Sequence, residues 1–86
     1  MVHHKKTWPN YFEDLVQGRK RFDIRLADFV VAVGDTIVFE EWDPKTGAFT
    51  GRKLEKKVSY RVLTKDLSYW SSDDVETYGY QILQLE

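Results

Sequence analysis

Hydrophobic positions change period three times along this 86-residue chain. Phe12, Leu15 and Val16 recur at i, i+3 and i+4, with Trp8 and Tyr11 extending the stripe, and this predicts a helix over residues 9–17 packed through Trp8, Tyr11 and Phe12. Thr7 or Trp8 is the expected cap, Pro9 fits the first turn, where its missing donor costs nothing, and Glu13 and Asp14 favour the helix dipole. Gly18 suits the left-handed position that stops helices. The period then becomes two: Phe22 and Ile24 are expected on the core side of a strand, with Arg21, Asp23 and Arg25 on its polar side.

Val33-Gly34-Asp35 reads as a turn into a second strand over 36–42, rich in β-branched and aromatic residues. Residues 43–47 form a hairpin connection, with Pro44 and Gly47 in turn positions. The return limb pairs briefly at 48–50 and resumes over 53–63, where Lys56 and Lys57 break the alternation and predict a bulge or a protected edge. Residues 64–78 lack a pattern and read as a long loop. A final strand is expected over 80–85.

Composition narrows the picture. A chain this short holds one domain, residues 1–86, and buries only roughly 60% of its unfolded surface. It contains no cysteine, so disulfides and thiolate zinc sites are excluded, and the aromatic content of 15% must carry the core. The formal net charge of −1 argues against a protein that coats duplex DNA. The charge is unevenly spread: residues 1–26 carry six Lys/Arg against three Asp/Glu, and residues 27–51 one against five. No apolar run suggests a signal peptide or a membrane span, so a cytoplasmic protein is expected.

Candidate chemistry concentrates at the helix-to-strand junction. Lys20, Asp23 and Arg25 form a charged cluster suited to a phosphate or the carbonyl edge of a base, Arg25 offering a planar fork and Lys20 a point charge. His3 and His4 alternate across an extended segment with no carboxylate at ligand spacing, so no metal is expected. The plain alternative for them is a frayed terminus. Tyr69, Trp70 and Tyr78, aromatics in a polar loop, are candidates for stacking on bases. Asp73, Asp74 and Glu76 read as solvating that loop, the alternative being that one of them supplies the late carboxylate of a hydrolase. No phosphate-binding glycine loop or nucleophile elbow is present, and no cofactor is implied.

The run Gly18-Arg19-Lys20-Arg21-Phe22-Asp23-Ile24-Arg25 resembles the Gly-x-Lys-x-x-Glu-x-Arg signature of ASCH domains, a branch of the PUA-like β-barrels. The Gly34-Asp35 turn is similar to the one that follows that signature. Short bacterial and phage-associated ASCH-like proteins offer further matches at His3, Lys6, Pro9, Tyr11 and Phe12, and over residues 41–47. The resemblance implies an α+β, mostly β fold: a small PUA-like antiparallel β-barrel with one N-terminal helix covering a cleft. It also implies a module for RNA, a nucleotide or a modified nucleoside, with His3 and Lys6 on the cleft rim beside Lys20, Asp23 and Arg25. One ASCH branch deacetylates N4-acetylcytidine with a lysine, a threonine and a later glutamate. Lys20 matches that lysine, but Asp23 stands at the threonine position, which disfavours an amidohydrolase. The phage-like relatives and the acidic middle of the chain suggest a third function, a protein-interaction or inhibitor domain.

Overall fold

The computed structural model describes residues 1–86 as an α+β fold, an open three-stranded sheet with two helices. β1 (Val2–Thr7) and β2 (Thr36–Asp43) are parallel, β2 and β3 (Ala48–Lys57) are antiparallel, and the order is β1-β2-β3. Helix α1 (Pro9–Val16) lies in the crossover from β1 to β2, as parallel pairing requires. A 3-10 turn (Thr64–Asp66) and helix α2 (Ser72–Tyr78) follow.

β2 is central because Ile37, Val38 and Phe39 are three consecutive buried residues, a run that suits a strand covered on both faces. Phe12 and Leu15 of α1 close on Ile37 and Phe39, with Leu54 and Val58 packed at the margin. The helix starts at Trp8 and Pro9, and Gly18 adopts φ +75° after it, as the sequence indicates. Its buried stripe is narrower than expected. Trp8, Tyr11 and Val16 are exposed, because a helix of two turns meets the sheet along a single line. The first turn carries no acid; Glu13 instead pairs with Arg52 of β3, and Asp14 with Arg19.

The 43–47 hairpin forms as expected, closed by the Gly47 N–H on the Asp43 carbonyl at 2.8 Å. Lys56 and Lys57 pair in register with Ile37 and Thr36 and stand exposed on β3, an edge strand, so of the two readings the protected edge holds, and the sheet irregularity falls elsewhere. It lies where the register shifts between Glu40 and Trp42, opposite Gly51 at φ +93°. That conformation suits glycine, and the surplus residues turn Thr50 toward Glu41.

Five further expectations are corrected. Val2–Thr7 is a strand rather than a frayed end, since Asp35 and the β2 backbone hold the N-terminal segment. Residues 22–25 form no strand, because alternation sorts side chains to two sides but supplies no partner backbone. Residues 80–85 form none either; Gln84 ties them to the turn after α1 through its side chain, accepting from the Arg21 N–H and donating to the Arg19 carbonyl. β3 ends at Lys57, short of residue 63, and residues 72–78 fold as α2, capped by Ser71 accepting from the Asp74 N–H at 3.1 Å. No helix is long and apolar enough to cross a membrane.

Candidate functional site

The extended segment after α1 keeps the expected alternation but presents it the other way round. Lys20, Phe22 and Ile24 line an open cleft of about 520 Å³ together with Tyr11 and Asp14 of α1. Asp23 and Arg25 turn away from it. Arg25 donates through Nε to Asp23 at 2.6 Å, through Nη1 to the Lys6 carbonyl at 3.0 Å and through Nη2 to Thr7 Oγ1 at 3.0 Å. Its guanidinium carbon lies 5.8 Å from the Phe39 ring centroid, so the group closes over the core. A guanidinium suits this place because its planar donors reach a carboxylate, a carbonyl and a hydroxyl at once.

Lys20 is the opposite case. Its backbone N–H closes the helix end on the Asp14 carbonyl, which fixes where the side chain starts. The ammonium lies 4.9 Å from the Tyr11 centroid and 5.4 Å from that of Phe22. The chain offers it no carboxylate or carbonyl partner: Asp14, the acid in the cleft, is paired with Arg19 at 3.0 Å. Lys20 and Asp23 share neither a hydrogen bond nor an ion pair. The cleft therefore presents one positive charge over two apolar faces, an arrangement that can hold an anionic group and a flat ring together.

The remaining expected residues are distributed elsewhere. Alternation along β1 turns His3, Lys5 and Thr7 inward and His4 and Lys6 outward. Lys6 lies over Trp42 at 4.5 Å on the outer face and contributes only its carbonyl to Arg25. His3 donates to Asp35 at 2.9 Å and packs edge-on against Phe29, so it braces the start of β2. That hydrogen bond, with those from the Ala32 N–H and the terminal amine, holds the Asp35 carboxyl well below the usual carboxylate range. Trp70 meets both Tyr69 and Tyr80 edge-on, and Trp70 and Tyr80, without Tyr69, line a second cavity with α2, apart from Lys20.

Two groups of residues escaped the sequence reading. Tyr11 and Phe22 line the cleft although their apolar pattern pointed to the core; Lys20, Phe22 and Ile24 at i, i+2 and i+4 carried the signal. Thr7 and Glu41, ladder partners on β1 and β2, are buried. Glu41 accepts from Thr50 Oγ1 at 2.7 Å and lies 3.6 Å from Arg52, which also holds Glu13. Hydrogen bonds from Gln17 and Arg52 lower the Glu13 pKa. Nothing in the residue types announced that a carboxylate inside a strand would be buried with partners from a bulge.

The sequence profile of a family described as "Domain of unknown function (DUF3850)" matches residues 2–84. Among curated proteins, the chain is similar to an uncharacterized 12.9 kDa protein in the GpA 3' region of Escherichia phage P2. The two are 36% identical over 74 residues, 86% of this chain and 63% of that protein. The chain thus matches less than two thirds of its relative's length.

Proposed function

We propose that this chain, which belongs to the DUF3850 family, is a binding module for a nucleotide or single-stranded RNA, of the ASCH and PUA-like kind. One observation carries the reading: Lys20 projects an ammonium without a partner of its own into a cleft floored by Tyr11 and Phe22. A phosphate would take the charge while a base lies against the rings; such stacking contributes about 1–3 kcal/mol per base. Single strands fit better than duplex, since their bases are available to stack and the net charge is near zero. Asp23 and Arg25 serve the same site indirectly, by fixing the segment that carries Lys20.

The fold half of the proposal is a PUA-like barrel. Such a barrel would need residues 22–25, 60–63 and 80–85, none of them a strand in the open sheet, to pair as additional strands; their Ile24, Tyr60, Val62, Ile82 and Leu85 are exposed. Hydrogen exchange tests this: amide protection there comparable to that of β2 supports the barrel, and exchange at the rate of an unpaired chain confines the fold to three strands.

Binding itself is tested by titrating short RNAs and nucleotides against the protein and Lys20→Ala. The expected result is loss of binding in the variant at an unchanged melting temperature. Equal affinity of the two proteins overturns the reading.

A further inference from the structure

The second cavity differs from the Lys20 cleft in the sign of its charge. It measures about 390 Å³ and is lined by Trp70, Asp74, Val75, Tyr78 and Tyr80, among others. Gly79, at φ +68°, reverses the chain between the two tyrosines, so that both border the same space. Helix α2 adds Asp73, Asp74 and Glu76 and no basic residue, and none of these carboxylates is in an ion pair.

Six aromatic rings elsewhere in the chain carry one of its own cations, whereas Trp8, Phe49 and Tyr60 do not. Lysine or arginine lies over Tyr11, Phe12, Phe22, Phe29, Phe39 and Trp42, and none lies over Trp70, Tyr78 or Tyr80. Ring orientation then decides the shape of the guest. Trp70 and Tyr80 meet at 67° with centroids 6.1 Å apart, and Tyr69 meets Trp70 at 72°. The inclined Trp70 and Tyr80 rings leave no parallel slot between them for a flat base, and the Asp74 carboxylate in the cavity wall repels a phosphate. A rounded cation touching several ring faces, with a carboxylate beside it, satisfies both constraints.

We propose that this cavity binds a quaternary alkylammonium group, with Trp70, Tyr78 and Tyr80 as its aromatic walls and Asp74 as its counter-charge. A trimethylated nitrogen suits the place better than a lysine ammonium, because its methyl groups fill the space and it loses less hydration on entering.

The test uses choline and trimethyllysine as probes, representing a small-molecule and a side-chain source, and 3,3-dimethylbutan-1-ol as the uncharged analogue of choline. Titrations at constant ionic strength follow the Trp70 indole N–H by NMR, assigned through Trp70→Phe. Both cations are expected to shift that signal with dissociation constants on the order of 1 mM, and the neutral analogue to bind roughly tenfold more weakly. Preference for either cation identifies the source and supports the proposal. Trp70→Ala should abolish the response of the remaining cavity signals, and Asp74→Asn, which preserves the helix if the first variant unfolds, should weaken choline roughly threefold or more. Equal binding of choline and its neutral analogue, an Asp74→Asn variant that binds as tightly as the parent, or no shift up to about 100 mM choline overturns it.

Discussion

Two cations five residues apart do opposite work. Arg25 donates to three acceptors on Asp23, Lys6 and Thr7, and its side chain is only 23% exposed. Arg25→Ala should therefore destabilise the fold by about 1.5–3 kcal/mol, the cost of losing hydrogen bonds to a charged group and leaving acceptors unpaired, as denaturant unfolding would measure. Lys20→Ala should leave the unfolding midpoint nearly in place, because that ammonium makes no hydrogen bond or ion pair and touches only the Tyr11 and Phe22 rings at the edge of an open cleft. A further residue, Asp35, sets acid sensitivity. Its folded pKa is depressed by His3, the Ala32 N–H and the terminal amine, so its stabilisation is complete above the unfolded value near about 3.9 and declines as the pH falls toward the folded one. Melting curves should show Asp35→Asn below the parent at neutral pH, with the gap narrowing as the pH falls below about 4. A gap that stays constant to pH 2 would mean another group carries the effect.

At the scale of elements, the bulge opposite Glu41 is where a small change has the clearest consequence. Gly51 holds φ +93°, with open space where a Cβ would project, so Gly51→Ala acts through backbone strain alone and should cost about 1 kcal/mol or more. Loss of the bulge would also withdraw Thr50 from Glu41. Elements whose apolar residues repeat were legible in the sequence: α1 from Phe12 and Leu15, β2 from its β-branched run, and the hairpin from Pro44 and Gly47. β1 was not, since its inward positions are His3, Lys5 and Thr7, which are held by an acid, a ring and a guanidinium rather than by burial of apolar surface. α2 was hidden for a similar reason, as Ser71 caps seven residues that bury none of their side chains. The segment after Gly18 was read with the right period and the wrong facing. Period fixes only which residues share a side; which side the core takes depended on Thr7 and Phe39, distant in sequence.

The whole molecule rests on a small core of Phe12, Leu15, Ile37, Val38 and Phe39. A domain of this size has a stability of roughly 4–13 kcal/mol, so Phe12→Ala, at about 3–5 kcal/mol, should remove a substantial part of it, read as a lower midpoint in denaturant unfolding. Charge at the same scale governs how the Lys20 cleft would read a nucleic acid. The net charge of −1 supplies no general attraction to phosphate, and the basic N-terminal third is largely engaged internally: Arg19 with Asp14, Arg25 with Asp23, and Lys5 and Lys6 over rings. Binding of single-stranded RNA should then release few counterions. A single phosphate contact at Lys20 corresponds to a slope of about −0.7 in log K against log salt concentration, and Lys20→Ala should bring that slope close to zero. A slope of several units would place the contacts on a broad basic surface instead of in the cleft, and would do so even if Lys20 contributed to the affinity.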